Sequence, residues 1–145
     1  KMSKYFIKKY FEPDLQLNFI NNLLKLANTS IDISDGIIDD LKKMINKQNV
    51  SFNIFEEKIP ISKNLSKLIK IKKFKKIDVT SRGDDYQILF TANPIKSRII
   101  RKISKIKGIK ITKIGKIVTG KNKSKIINIK NKQIEAKNKG YIHQF

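Results

Sequence analysis

The sequence predicts one α+β domain in which helices and strands alternate along the chain. Three observations lead there. Apolar residues switch repeatedly between a spacing of three to four, which lines one face of a helix, and a spacing of two, which lines one face of a strand. A chain of 145 residues can bury most of its apolar surface in a single core. No apolar run approaches the ~20 residues that a membrane span needs, and no internal repeat or long linker divides the chain.

The elements follow in order. Residues 1–12 read as a connecting segment, and residues 13–145 as the domain. The first residue is Lys1, not Met, so the chain is expected to be part of a longer protein. Leu17, Ile20, Leu24 and Ala27 mark a helical face that ends at Asn28-Thr29-Ser30. Ser30 to Ser34 (SIDIS) is a short strand, and Asp35-Gly36 turns the chain into a helix carrying Ile37, Ile38, Leu41, Met44 and Ile45. Val50, Phe52 and Ile54 alternate as a half-buried strand. Beyond Pro60, Leu65, Leu68 and Ile69 set a third helix that runs into the basic stretch Lys70 to Lys76. Residues 81–85 form a loop, and Tyr86 to Thr91 (YQILFT) a nearly continuous apolar strand expected to be covered on both faces. Pro94 opens a fourth helix with Ile95, Ile99, Ile103 and Ile106 on one side, and Gly108 stops it. Ile109 and Ile111 start a strand that Gly115 interrupts and Ile117-Val118 continue. One more strand is expected from Ile126 to Ile129, before the aromatic tail GYIHQF.

The charge is extreme. With 33 Lys and Arg against 12 Asp and Glu, the formal net charge is +21. Such a surface attracts polyanions, which makes a basic nucleic-acid-binding module the rival reading. Composition argues against it. Only Arg82, Arg98 and Arg101 are arginines, although the planar guanidinium is the favoured reader of phosphates and bases. The lysines are spread along the chain, and Ile and Asn are inflated with them, the pattern of a compositional drift and not of a selected face. The absence of Cys excludes a disulfide framework, a thiolate metal site and a Cys nucleophile, and fits a reducing cytoplasm. There is no signal-peptide pattern at the start.

Against that background the few acids stand out. Asp32, Ser34 and Asp35 lie where a strand feeds a helix. Carboxylates placed there suit Mg²⁺, a hard cation that takes few protein oxygens and completes its shell with water or phosphate. Ser34 can donate to a phosphate oxygen. The ordinary alternative is that Asp35 caps the helix and Asp32 is merely solvated. Asp84 and Asp85 follow Gly83, where paired acids bind a cation or simply form an acidic turn. In the tail, Tyr141 offers a face to a ring or a cation, whereas His143, the single histidine, reads as terminal packing. No phosphate-loop, dinucleotide, zinc or nucleophile-elbow pattern is present.

In this order and at these separations the motifs resemble thiamine-monophosphate kinase, of the superfamily that includes aminoimidazole-ribonucleotide synthetase and selenophosphate synthetase. SIDISDGIIDDL is similar to the family's M-I-D-I-S-D-G-L-x-x-D-L signature, and RGDDYQILFT to its G-[ED]-D-Y-E-L-L-F-T strand. KKYFEPDLQL resembles the entry into the family's second domain, ITKIGKIVTG its I-G-x-[IV]-x-x-G segment, and GYIHQF its terminal G-Y-x-H-F. The resemblance implies the C-terminal domain of that fold, a mixed sheet with helices packed on one side. It implies that the N-terminal ATP- and Mg²⁺-binding domain is not in this chain. It implies Mg²⁺-dependent transfer of the ATP γ-phosphoryl to thiamine monophosphate, by a homodimer in the cytoplasm, with no membrane or nucleic-acid partner. On the same grounds Asp32 and Asp35 would ligate Mg²⁺, Ser34 contact ATP, and Asp84 and Tyr141 contact the substrate. The family pattern is departed from at Gln87, Arg82 and Gln144. The chain alone is expected to be inactive, and a non-functional fragment of a split kinase gene is the other alternative.

Overall fold

The helix α3 (Ile37–Met44) shows most directly how this sequence builds its core. Ile37, Ile38, Leu41 and Met44 are buried, Asp39 and Asp40 stand in the first turn and Lys42 and Lys43 in the last. The apolar stripe drives packing, and both sets of charges complement the helix dipole. A computed structural model describes residues 2–46 and 48–137 of the chain. In it α3 shares one apolar cluster with Phe52 and Ile54 of strand β2 (Val50–Phe55), and with Ile33, Ile59, Ile77, Leu89 and Ile126.

β2 lies inside a four-stranded sheet of order β4-β2-β5-β6, with β4 at Gly115–Thr119, β5 at Lys125–Ile127 and β6 at Gln133–Ile134. β2 runs antiparallel to β4 and parallel to β5, so the sheet is mixed. Phe52 is 2% exposed. Truncating a buried Phe removes its transfer energy and leaves a cavity. Phe52→Ala is therefore expected to cost about 3–5 kcal/mol, read as a fall in the urea midpoint with little change in slope.

A separate two-stranded ladder pairs β1 (Thr29–Asp32) with β3 (Ile88–Thr91), antiparallel, with Asp32 opposite Ile88. α2 (Ile20–Leu26), entered through a single 3-10 turn at Leu17–Phe19, leads into β1. The predicted helical face is rotated here. Leu17, Ile20 and Leu24 are exposed, and Phe19 and Leu26 are buried. The tighter opening turn shifts the phase of the helix, and the Phe19 ring packs 5.8 Å from that of Phe90. β3 is shorter and less covered than expected: Leu89 alone is buried, with Ile88 and Phe90 half-buried.

The remaining helices lie nearer the surface. Residues 1–12, expected as a connecting segment, contain the helix α1 (Met2–Phe11), which buries nothing. α4 (Lys63–Lys72) is capped by Ser62, whose Oγ accepts from Leu65 N at 3.1 Å, and it stops at Lys73 in the left-handed region. α5 (Lys76–Thr80) arises at the end of the basic run, where no helix is predicted from periodicity. Its anchors are Ile77, fully buried, and the Glu56 carboxylate, which accepts from Ile77 N at 3.0 Å. α6 (Ser97–Lys107) ends at Gly108 as expected, but turns Ile100 and Ile103 inward while Ile95, Ile99 and Ile106 face solvent. No ladder forms at residues 109–114. Gly115 does not interrupt a strand; it begins one, and glycine is required there because a Cβ would lie 2.1 Å from Asn53 O of the paired strand.

Candidate active site

The two acidic motifs, about fifty residues apart in the chain, meet at the open end of the β1–β3 ladder. Past Asp32 the strands stay joined by main chain alone. Ile33 N donates to Gln87 O at 2.9 Å, Tyr86 N donates to Ile33 O at 2.9 Å, and Asp84 N donates to Ser34 O at 3.0 Å. Two glycines make this approach possible. Gly83, at φ 91°, would place a Cβ 2.2 Å from Ser34 O, and Gly36, at φ 114°, a Cβ 2.4 Å from Ser81 O. Asp84 and Tyr86 themselves lie in the left-handed region, at φ 59° and 49°. Such a conformation costs free energy in non-glycine residues and persists only where surrounding bonds over-determine it.

The loop between β1 and α3 is wound around one side chain. Asp40 is fully buried, and its Oδ2 accepts from the backbone N–H groups of Ser34 at 3.0 Å, Asp35 at 3.0 Å and Gly36 at 3.1 Å. Its Oδ1 accepts from Lys43 Nζ at 3.3 Å, and Lys43 also forms an ion pair with Asp35. Charge-assisted bonds of this kind are stronger than neutral ones. The Asp35 contact, set against partial desolvation and reinforced by Asp40, holds the Lys43 ammonium above its ordinary range. Asp40 carries no assigned role in the sequence reading. Its signal was a carboxylate four residues into a helix that starts with glycine, a position from which it reaches back over the first turn.

Of the expected site residues, Asp32 ends β1 and is exposed, Ser34 and Asp35 are half-buried in the loop, and Asp84 is exposed on the facing loop. The structure brings these four together around the joined main chains. Asp35 does not cap the helix, since Gly36 occupies that position. Tyr86 O–H donates to Asp84 Oδ1 at 3.4 Å. The charge on Asp84 is the main reason that the Tyr86 phenol is held above its usual range, with desolvation, Tyr10 and Asp32 adding to it. Desolvation first, and then Asp84, push the Asp85 carboxyl up. Tyr141 and His143 lie outside the described residues.

Two aspartates and a hydroxyl are a hard-oxygen donor set that fits Mg²⁺. Among the described residues, no group of three or more acids or histidines stands close enough to hold a metal unaided. A cation held by Asp32 and Asp35 would have to take the rest of its shell from phosphate, water or groups beyond these residues. Among the described residues no helix is long and apolar enough to cross a membrane.

The α+β fold of this chain is also found in solved structures of thiamine-monophosphate kinases. The chain superposes on the structure named AaThiL complexed with AMPPCP and TMP at a TM-score of 0.74, with 24% identity, over 99% of this chain and 42% of that one. It superposes on the thiamine monophosphate kinase of Aquifex aeolicus at a TM-score of 0.69, with 25% identity, over 92% of this chain and 42% of that one. In sequence the chain is similar to thiamine-monophosphate kinases over essentially its whole length. It is 33% identical over 143 residues to that of Buchnera aphidicola subsp. Schizaphis graminum, covering 99% of this chain and 44% of the relative. Against that of Buchnera aphidicola subsp. Acyrthosiphon pisum it is 37% identical over 101 residues, 68% of this chain and 31% of the relative. No family model matches. The chain spans less than half the length of the curated relatives it matches.

Proposed function

We propose that the chain is the second-domain part of a thiamine-monophosphate kinase, which transfers the γ-phosphoryl of ATP to thiamine monophosphate and yields thiamine diphosphate and ADP. The observation that carries this reading is the main-chain stitching of the SIDISDG and RGDDY segments, together with similarity to such kinases along 99% of the chain. In this reading the complete enzyme is a homodimer of the cytoplasm and includes an N-terminal nucleotide-binding domain that these 145 residues do not contain.

The roles are those that the resemblance to the kinase family implies for these residues. Asp32 and Asp35 would hold Mg²⁺, which neutralises phosphate charge when bound. Asp35 forms an ion pair with Lys43, which orients its carboxylate. The Ser34 hydroxyl would donate to a phosphate oxygen of ATP. Asp84, on the opposite loop, presents a carboxylate to the cationic thiazolium end of the substrate, and Tyr141 supplies an aromatic face. The acceptor is a phosphate monoester, already anionic, so its oxygen attacks phosphorus without a general base. The bond to the β-phosphate breaks, and the electron pair leaves with ADP. Positioning and charge neutralisation suffice for such a transfer.

The test is reconstitution. The first part of a Buchnera kinase, fused or supplied as a separate folded chain, is expected to give Mg²⁺-dependent formation of thiamine diphosphate, measured by thiochrome fluorescence. The chain alone is expected to give none. Turnover by the isolated chain, or silence from a folded reconstituted pair, counts against the reading.

A further inference from the structure

We infer that Asp40 is a positioning residue, whose buried carboxylate is the template on which the Ser34–Gly36 loop is wound and so fixes where Asp35 and Ser34 are presented. This rests on the reading of Asp35 as a metal ligand.

Three consecutive backbone N–H groups converging on one point form a concave nest, which is a ready anion site. Here the nest is filled from within. Oδ2 of Asp40 takes all three N–H groups at 3.0–3.1 Å, and the residue is fully excluded from water. A buried carboxylate is unfavourable unless its lone pairs are satisfied. Oδ2 is satisfied by the loop, and Oδ1 by Lys43 at 3.3 Å. The dependence is mutual. Without the carboxylate the three N–H groups would be left without their common acceptor, and at Gly36 the main chain is already packed against Ser81 O. With it, the backbone dihedrals from Ser34 to Gly36 are fixed. The direction in which the Asp35 and Ser34 side chains leave the main chain is fixed with them. Asp40 needs no contact with phosphate or metal to matter, because it acts through the backbone of the residues that make those contacts.

The test uses the full 145-residue chain, isotopically labelled, with Mn²⁺ as the probe metal and a non-hydrolysable ATP analogue present to supply the phosphate oxygens of its shell. In the wild type, the amides of Ser34, Asp35 and Gly36 should exchange with deuterium no faster than core amides of β2. Mn²⁺ should broaden the resonances of Asp32 and Asp35, and Asp35→Asn should abolish that effect. Asp40→Asn keeps the shape but removes the charge. It should speed exchange at the three amides at least tenfold and weaken Mn²⁺ at least fivefold, with β2 and β4 shifts unchanged. In Asp40→Gly, formate should slow the exchange again by refilling the nest. An Asp40→Asn chain that binds Mn²⁺ within twofold of the wild type overturns the inference while leaving the metal reading intact. Wild-type amides at 34–36 that exchange like exposed loop amides overturn it even if no variant folds. Absence of Mn²⁺ broadening in the wild type with the ATP analogue present defeats the metal reading, and with it the presentation of a ligand by Asp40.

Discussion

Gly83→Ala is expected to lower the stability of this chain by about 3–5 kcal/mol, combining backbone strain with overpacking. Gly83 lies at φ 91°, where an L side chain is strained, and its added Cβ would fall 2.2 Å from Ser34 O. That neighbour is backbone and cannot rotate away. Relief requires the 83–87 segment to move off the 33–34 segment, which breaks the bonds from Asp84 N and Tyr86 N. Gly108→Ala is the internal control. It also has positive φ, but no atom lies within 4 Å of the added Cβ, so about 1 kcal/mol is expected. Urea unfolding of both variants checks the contrast, and a Gly83→Ala cost as small as that of Gly108→Ala would show that the two loops are not held in contact.

Asp35→Asn, in the reconstituted kinase, is expected to reduce turnover by about 10²–10³-fold, the equivalent of losing several kcal/mol of charge stabilisation. The amide keeps the size of the side chain and the backbone bond from Asp35 N to Asp40. It removes the negative charge that would hold the cation and that pairs with Lys43. The loss should be partly recovered by raising Mg²⁺, because weaker binding is offset by concentration. Turnover within a few-fold of the wild type at low Mg²⁺ would remove Asp35 from the metal site.

What the sequence shows and what it hides divide along physical lines. The stripe Ile37, Ile38, Leu41, Met44 and the alternation Val50, Phe52, Ile54 are local patterns, and both elements form where they predict. Elements set by distant partners are not legible in this way. α5 depends on Glu56, twenty-one residues upstream of Ile77, for a capping acceptor. The glycine at the start of β4 is required by the approach of Asn53 O from a distant strand. The turn that leads into α2 is anchored by Phe19 against Phe90 of a strand some seventy residues away. At the site, residue types and spacing identify Asp32, Ser34, Asp35 and Asp84 as candidates. They do not show that two loops are joined through backbone, nor that Asp40 fills the center of one of them, because neither leaves a periodic trace in the sequence.

The joining of the loops by main chain has a consequence for how such a chain changes over time. Amide and carbonyl groups are the same in every residue other than proline, so a scaffold written in them survives exchange of most side chains. Lys, Ile and Asn can accumulate across the surface and leave the Ile33–Tyr86 and Ser34–Asp84 bonds untouched. The positions open to damage are then few: the glycines that admit the close approach and the one carboxylate that the amides surround. A lineage drifting toward lysine can lose almost any recognisable surface and keep this corner, provided those few letters are spared.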